Sequence, residues 1–320
     1  MLRWRAVFGL HHCRRARIGL GWGMTLKNLI LLAFLSIATA AEAAQPLHPA
    51  VTQDPISLDA EHPPGIVEMN FQSHGSRLNG LVYTANGPGP HPTVVLLHGM
   101  PGNEKNLDLA QSLRRGGFNV LFFHYRGAWG SEGSWSLGHQ VEDAASATKA
   151  LRERAGDYRV DPGRIIYVGH SVGGFVAIKA ASNDPSIRCV AGIASANPAV
   201  WAPAFEEYPE AAAGFAAYVD DLQMLSGVSG KSLVEEVIDQ AGPFDLTTLA
   251  PSLSGKTVLL IAGEQDAVLE PAVHHAPMVA AYQDQPGIQL THRVLSGDHS
   301  FSWSRQRLMS EVLNWIEGCR

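Results

Sequence analysis

Clustered basic residues are scarce in most of this 320-residue sequence. Residues 44–320 carry 18 Lys and Arg against 29 Asp and Glu, a net charge of −11. Because phosphate groups are bound by clustered cations, this deficit argues against a nucleic-acid partner. The chain also lacks His, Cys, Asp and Glu at the spacings that are typical of metal sites, so we expect no bound metal.

No apolar run reaches the length of about 20 residues that spans a bilayer. The N-terminal run Leu29–Ile37 follows Lys27 and precedes the small-residue tripeptide Ala41-Glu42-Ala43. A positive start, a short apolar stretch and a small-x-small exit are typical of a secretory signal peptide. We therefore interpret residues 1–43 as an upstream extension and signal peptide. The mature protein, starting near Ala44, is expected to be periplasmic or secreted and to have no stable membrane span.

Two alternatives to this interpretation of the N-terminus stay open. The apolar run could be an uncleaved membrane anchor, although it is short for that purpose. Translation could also begin at Met24, which lies just before the apolar run.

The chain has only three cysteines, and Cys13 is lost with the signal segment. Cys189 and Cys319 could form a disulfide in an exported protein. Cys189 lies in an apolar run, where a buried free thiol is the ordinary alternative. The sequence does not decide between these two states.

Strand-like and helix-like segments alternate through residues 66–320, after a polar, proline-containing leader at 44–65 that we predict to be extended. Short runs that are apolar on both faces are typical of central parallel strands covered by helices on both sides. This alternation predicts an α/β fold with a mostly parallel, doubly wound sheet. The predicted inner strands contain Val94–Leu97, Val120–Phe123, Ile165–Val168, Cys189–Ile193 and Val258–Ile261, after two antiparallel edge strands near Ile66–Phe71 and Leu78–Tyr83.

One segment, at about 198–250, contains no convincing strand. Helices are predicted there at Pro209–Leu225 and Lys231–Gln240. We interpret it as an inserted helical cap over the carboxyl ends of the strands, where ligands bind in such sheets. The alternative is two more helices that pack on the sheet.

A Gly-x-Ser-x-Gly motif centred on Ser171 lies between a predicted strand and a predicted helix. Such a turn is so tight that the serine takes a strained backbone conformation and the flanking glycines cannot be larger. It exposes the serine oxygen at a helix N-terminus. Ser171 is therefore the predicted nucleophile. The motif reads Gly169-His170-Ser171-Val172-Gly173-Gly174.

A serine hydroxyl needs a base and an orienting acid, and in this type of sheet both follow the serine in the chain. Asp266 and His299 follow two later strands, so we predict Asp266 as the acid and His299 as the base. Glu264 and Asp298 are the alternative acids. His170 adjoins the serine, but its position does not suit proton transfer, and we expect it to pack within the turn.

The oxyanion formed during acyl transfer needs two N–H donors. One is expected from Val172, which follows the nucleophile, and the other from the backbone of Met100 in the loop after an earlier strand. Glycines at 99 and 102 would let that loop approach a substrate. We expect His98, at the start of the loop, to be a structural hydrogen-bonding residue.

Taken together, these motifs resemble the α/β-hydrolase superfamily over positions 66–320. The loop that begins at His124 and ends at Gly133 adds to the likeness. The branch that it resembles most consists of esterases similar to the catalytic domains of prolyl oligopeptidases. The resemblance implies hydrolysis through an acyl-enzyme without a cofactor.

Two departures from the oligopeptidases favour esters over peptides. Those enzymes have a tyrosine where this chain has Met100, and they carry a propeller domain that residues 44–65 could not form. We therefore expect an exported serine hydrolase that cleaves carboxylic esters, with a small-molecule substrate selected by the aromatic-rich cap. The alternatives are a small aminopeptidase or amidase and, from another class, a binding protein with a hydrolase fold but no activity.

Overall fold

The computed structural model describes residues 46–319, and the predicted signal peptide lies outside them. Within these residues, ten strands form an eight-stranded sheet, ordered β1-β4-β6-β5-β7-β8-β9-β10, and a separate hairpin of β2 and β3. The strands are β1 (Gly65–Glu68), β2 (Phe71–Ser73), β3 (Ser76–Leu78), β4 (Gly80–Thr84), β5 (His91–Leu97), β6 (Asn119–Phe123), β7 (Val160–His170), β8 (Cys189–Ile193), β9 (Thr257–Gly263) and β10 (Gln289–Leu295).

Strands β5 to β10 run parallel, whereas β4 pairs antiparallel with β6 and β1 pairs antiparallel with β4. This confirms the predicted mostly parallel sheet with antiparallel strands at its start. All five residues of β6 and of β8 are buried, as expected for strands that are covered on both faces. The carboxyl ends of the parallel strands therefore lie along one edge of the sheet, and the predicted site residues follow them.

Helices cover both faces of the sheet. One face forms a single apolar cluster with α1, α2 and α10, which includes Val94, Ile166 and Leu259 from the strands. The opposite face meets α3, where the hydroxyls of Thr148 and Tyr167 lie 2.7 Å apart. The helices are α1 (Pro49–Thr52), α2 (Leu107–Arg115), α3 (Leu137–Glu153), α4 (Val172–Asn183), α5 (Ala202–Glu207), α6 (Pro209–Asp220), α7 (Gly230–Asp239), α8 (Ala241–Phe244), α9 (Pro271–Gln283) and α10 (Arg305–Ile316).

The leader differs from the extended segment that the sequence predicts, because it begins with the helical turn α1. The His48 side chain accepts a hydrogen bond from the Ala50 amide, and a proline occupies the first helical position. Ala50 and Val51 are buried, and the Arg115 guanidinium donates to both of their carbonyl oxygens, at 2.7 and 3.1 Å. The leader is thus anchored to α2 before it continues without helix or strand to β1.

The segment at about 198–250 is helical, as predicted, and contains α5 to α8 between two 3₁₀ helices at Pro198–Trp201 and Leu246–Leu253. Helix α6 ends at Asp220, short of the predicted Leu225. Beyond Asp220, the backbone forms hydrogen bonds with the loop after β6 instead of continuing the helix. The amide of Trp129 donates to the carbonyl of Met224 at 3.0 Å, and the amide of Ser226 donates to the carbonyl of Gly127 at 2.8 Å.

Glu236 of α7 makes a second connection between this segment and the rest of the domain. Its carboxylate accepts hydrogen bonds from the amides of Leu137 and Gly138, at 3.0 and 2.9 Å. These amides begin α3, where free N–H groups and the helix dipole favour an anion. We keep the name cap for residues 198–250, which are joined to the rest of the domain at the loop after β6 and at the start of α3.

Three aromatic residues of the cap, Trp201, Phe205 and Phe215, pack on one another. The ring of Phe215 lies 5.8 Å from Trp201 and 5.1 Å from Phe205, centroid to centroid. Phe205 and Phe215 are both buried. These rings therefore form the interior of the cap itself.

Cys189 and Cys319 form a disulfide, which the sequence left open. Their Cα atoms are 6.2 Å apart although 130 positions separate them in the chain. The bond joins the start of β8 to the terminal 3₁₀ turn Glu317–Cys319. It therefore attaches the C-terminal end of the described chain to the middle of the sheet.

A search of residues 46–319 finds no helix of the length and apolar character that a membrane span requires.

Candidate active site

Ser171 occupies the junction between β7 and α4. Its backbone angles, φ 60° and ψ −124°, lie outside the regions that non-glycine residues normally adopt. Backbone hydrogen bonds hold it: its amide donates to the Ile193 carbonyl at 2.9 Å, and its carbonyl accepts from the amides of Gly174 and Ala196 at 2.9 and 3.0 Å. The strained turn that the motif predicts is present and is fixed by the neighbouring strand β8.

Close packing explains the glycines of the motif. A Cβ atom at Gly169 would lie 1.9 Å from the Gly173 carbonyl oxygen, and one at Gly173 would lie 2.2 Å from the Leu97 carbonyl oxygen. Both contacts are with backbone, which cannot yield as a side chain could. Helix α4 consequently starts directly against the end of β5. Ser171 is the residue that immediately precedes this helix.

Asp266 and His299 are hydrogen-bonded to each other. The Nδ1–H of His299 donates to Asp266 Oδ2 at 2.7 Å, while Oδ1 accepts from the amides of Val268 and Leu269 at 2.8 and 2.9 Å. The Asp266 side chain is almost fully buried and the His299 side chain is 17% exposed. Since Nδ1 carries a proton in this bond, Nε2 of a neutral His299 is left as the proton acceptor.

The carboxylates of Asp298 and Glu264, the alternatives to Asp266 as the acid, make other contacts. Asp298 accepts from the amides of Ser300 and Ser302, at 3.1 and 2.8 Å, and thereby closes its own turn. Glu264 accepts from the Gln265 side-chain amide at 2.7 Å. Among residues 46–319, Asp266 is the one carboxylate hydrogen-bonded to the His299 ring.

The loops that carry the acid and the histidine are joined to each other. The Gln265 amide donates to the Gly297 carbonyl at 2.9 Å, and the Gly297 amide donates to Gln265 Oε1 at 2.8 Å. The Glu264 amide donates to the Leu295 carbonyl at 2.8 Å. These bonds continue the pairing of β9 with β10 past the ends of the strands.

His170 links the turn at Ser171 to the loop that carries His299. Its Nε2–H donates to the His299 carbonyl at 2.8 Å, and the two rings lie 4.8 Å apart. Burial, together with the neighbouring His299, lowers the pKa of His170 to about 3, so its ring is neutral near pH 7. As expected, His170 packs within the turn.

The structure thus brings Ser171 and the Asp266–His299 pair to one place, but without a complete chain of hydrogen bonds. In the described part of the chain, no hydrogen bond joins Ser171 Oγ to His299 Nε2. Catalytic hydrogen bonds of this kind often form fully only when substrate is bound.

The loop after β5, which carries Met100, lies directly against the serine. A Cβ atom added to Gly99 would be 2.7 Å from the Cβ of Ser171 and 3.1 Å from its Oγ. The amides of Met100 and Val172 donate no hydrogen bond to any group in residues 46–319. Both amides are therefore available as donors beside the serine.

Two neutral histidines support this loop. The Nδ1–H of His98 donates to the Gly99 carbonyl at 2.8 Å, so its Nε2 accepts from Nδ1–H of His124 at 3.2 Å. Burial lowers the pKa of His98 to about 4 and that of His124 to about 3. Gly102 has φ +91°, and a Cβ there would lie 2.4 Å from His98 Nδ1. The structural role expected of His98 fits this geometry, whereas its pairing with His124 was not predicted from the sequence.

An open groove of about 600 Å³ lies between the residues that follow Met100 and those that follow His299 in the chain. All of its lining residues except Leu107 are polar or charged, and the charges are of both signs; they are Asn103–Asp108, Ser300, Ser302 and Arg305. No group of three or more His, Cys, Asp or Glu side chains within residues 46–319 is arranged to hold a metal ion.

Comparison with known proteins identifies the fold. A family model described as the α/β-hydrolase fold matches residues 92–222, which include the Met100 loop and Ser171. The chain has the α/β-hydrolase fold.

Two sequence relatives match part of the chain. An uncharacterized protein of Mycobacterium tuberculosis is 36% identical over 117 residues, which cover 36% of this chain and 41% of that protein. Esterase EstD of Thermotoga maritima is 28% identical over 185 residues, 53% of this chain and 40% of the esterase. The chain thus spans less than half the length of the curated relatives that it matches.

Solved structures agree on the fold. A highly thermostable carboxyl esterase from Bacillus coagulans superposes with a TM-score of 0.61, at 16% identity, covering 80% of this chain and 99% of the esterase. At that identity the likeness concerns the fold alone. The closer resemblance to prolyl-oligopeptidase catalytic domains stays a prediction.

The contact between Gly99 and Ser171 can be tested with Gly99→Ala. The added methyl group should push the Met100 loop away from the serine. Because misplacement of a catalytic group by about 1 Å can reduce the rate about 10²-fold, we expect a loss of that order in kcat for a chromogenic ester.

Gly156→Ala is the matched control, since a Cβ there has nothing within 4 Å and its kcat should be unchanged. Thermal melting of both variants would show whether the fold is retained. Wild-type turnover by a folded Gly99→Ala protein would contradict the assigned position of the loop.

Proposed function

We propose that the protein is a serine hydrolase that cleaves carboxylic esters through an acyl-enzyme. The observation that carries this proposal is the hydrogen-bonded Asp266–His299 pair, anchored by His170 beside the strained turn of Ser171. The α/β-hydrolase fold and the match to an esterase of Thermotoga maritima add support.

In the first half of the reaction, Ser171 Oγ attacks the ester carbonyl carbon and its proton passes to His299 Nε2. The resulting imidazolium keeps its Nδ1–H on Asp266, whose buried carboxylate stabilises the positive charge. The tetrahedral intermediate then collapses. The carbon–oxygen bond to the alcohol breaks, and His299 returns the proton to the departing alcohol oxygen.

The second half regenerates the enzyme. Water gives a proton to His299 Nε2 as its oxygen attacks the acyl-serine carbonyl. A second tetrahedral intermediate releases the carboxylic acid, and the proton returns to Ser171 Oγ. Apart from the ester and water, these two steps use only groups of the chain and involve no change of oxidation state.

The backbone amides of Met100 and Val172 are proposed to hold the oxyanion in both intermediates. Val172 is the first residue of α4, so its amide has no partner within the helix and lies at the positive end of the helix dipole. A donor of this kind contributes about 3–4 kcal/mol to transition-state stabilisation.

We further propose that the protein is exported and works in the periplasm or outside the cell. The sequence of residues 1–43 and the Cys189–Cys319 disulfide support this, because disulfides persist mainly in oxidising compartments. Alkylation of free thiols in intact cells, followed by mass spectrometry, should find the two cysteines linked and an N-terminus near Ala44. Alkylated cysteines in a protein that keeps residues 1–43 would contradict export.

The reaction type can be tested with a series of p-nitrophenyl esters of rising acyl length beside aminoacyl p-nitroanilides. We expect ester turnover that depends on chain length and falls by roughly 10⁴-fold or more in Ser171→Ala. Ser182→Ala, at the far end of the same helix, is the matched control and should keep wild-type activity.

Turnover of the anilides in preference to the esters would move the assignment to a small aminopeptidase or amidase. Ester turnover that survives unchanged in Ser171→Ala would reject Ser171 as the nucleophile.

A further inference from the structure

Trp129 lies in the loop after β6 and has no part in the mechanism described above. It is a bulky residue with φ +50°, a backbone conformation that such residues rarely adopt. A residue is held in such a conformation only when its surroundings fix it from several sides. The contacts of Trp129 therefore hold it in this conformation.

The indole of Trp129 is bonded to the loop that carries the proposed oxyanion donor. Its Nε1–H donates to the Pro101 carbonyl oxygen at 2.6 Å, and Pro101 directly follows Met100. The same ring lies beneath the Lys105 ammonium group, whose nitrogen is 3.8 Å from the ring centroid. Trp129 thus contacts the loop at two residues that follow Met100 in the chain.

The indole also contacts the histidine pair that supports the start of this loop. Its ring stacks on His124 at 5.8 Å between centroids and an interplanar angle of 25°. His124 in turn donates to His98, which is bonded to the Gly99 carbonyl. Met100 is therefore flanked on one side by Pro101, which is bonded to Trp129, and on the other by Gly99, which is connected to Trp129 through His98 and His124.

The backbone of Trp129 connects the same point to the cap, because its amide donates to the Met224 carbonyl at 3.0 Å. Trp129 thereby links the cap, the pair of His98 and His124, and the Met100 loop.

We propose that Trp129 is a positioning residue, which holds the Pro101 carbonyl so that the Met100 amide stays directed at the oxyanion site beside Ser171. The inference rests on the proposed function for its catalytic consequence. Because the oxyanion exists only in the tetrahedral states, Trp129 should affect these states more than substrate binding.

The experiment uses Trp129→Phe in the full chain, which keeps an aromatic ring against His124 and Lys105 but removes the indole N–H. We expect kcat for the best p-nitrophenyl ester to fall about 10-fold, with KM within about twofold of wild type. Affinity for a trifluoromethyl ketone, which forms a tetrahedral adduct on the serine, should fall by the same factor as kcat/KM.

Trp315→Phe is the matched control, because Trp315 lies in α10 and its indole nitrogen has no hydrogen-bond partner among residues 46–319. This variant should leave kcat, KM and ketone affinity unchanged. A rise in KM at constant kcat in Trp129→Phe would overturn the proposal and make Trp129 a substrate contact instead.

Hydrogen exchange of the peptide that covers residues 99–106 gives a readout independent of activity. We expect faster exchange there in Trp129→Phe than in wild type or Trp315→Phe. Unchanged exchange would overturn the positioning role whatever the reaction. Faster exchange in a protein whose wild type hydrolyses no ester would support that role and reject the proposed function.

Discussion

The contact between the end of β5 and the start of α4 is the constraint on which the candidate site depends. Gly173 lies so close to the backbone of Leu97 that no side chain fits between them, and Gly169 is equally confined by Gly173. This packing forces Ser171 into its strained conformation and places it beside Gly99. The nucleophile and the loop with the proposed oxyanion donor are thus positioned by a single region of close backbone packing.

Neutral histidines, two buried and one half-buried, then fix the loops around the serine. His170 donates to the backbone of His299, while His98 and His124 donate in sequence toward the Met100 loop. Burial keeps the pKa of each of these three supporting rings at about 3 to 4, so each has one donor and one acceptor nitrogen near pH 7. A neutral imidazole can therefore join two loops without placing a charge beside the imidazolium that His299 forms during the proposed reaction.

Much of this arrangement could be predicted from local sequence, because apolar strands, the glycines around Ser171 and loops at strand ends are short-range patterns. Several features that depend on distant partners differ from the prediction or were not predicted. Helix α6 ends before Leu225 because the backbone there pairs with the loop after β6. The turn at Pro49–Thr52 depends on burial against α2, and the link from Trp129 to Pro101 joins residues 28 positions apart. No local pattern encodes such contacts.

The assignment of Ser171 and His299 can be tested by covalent labelling of the protein with a fluorophosphonate, with the modified residue located by peptide mass spectrometry. We expect one adduct, on Ser171, and a labelling rate that falls by roughly 10³-fold or more in His299→Ala. Asp298→Asn, which alters the carboxylate next to His299 in the chain, should label nearly as fast as wild type. An adduct on another residue, or an unchanged rate in His299→Ala, would contradict the assignment of Ser171 and His299.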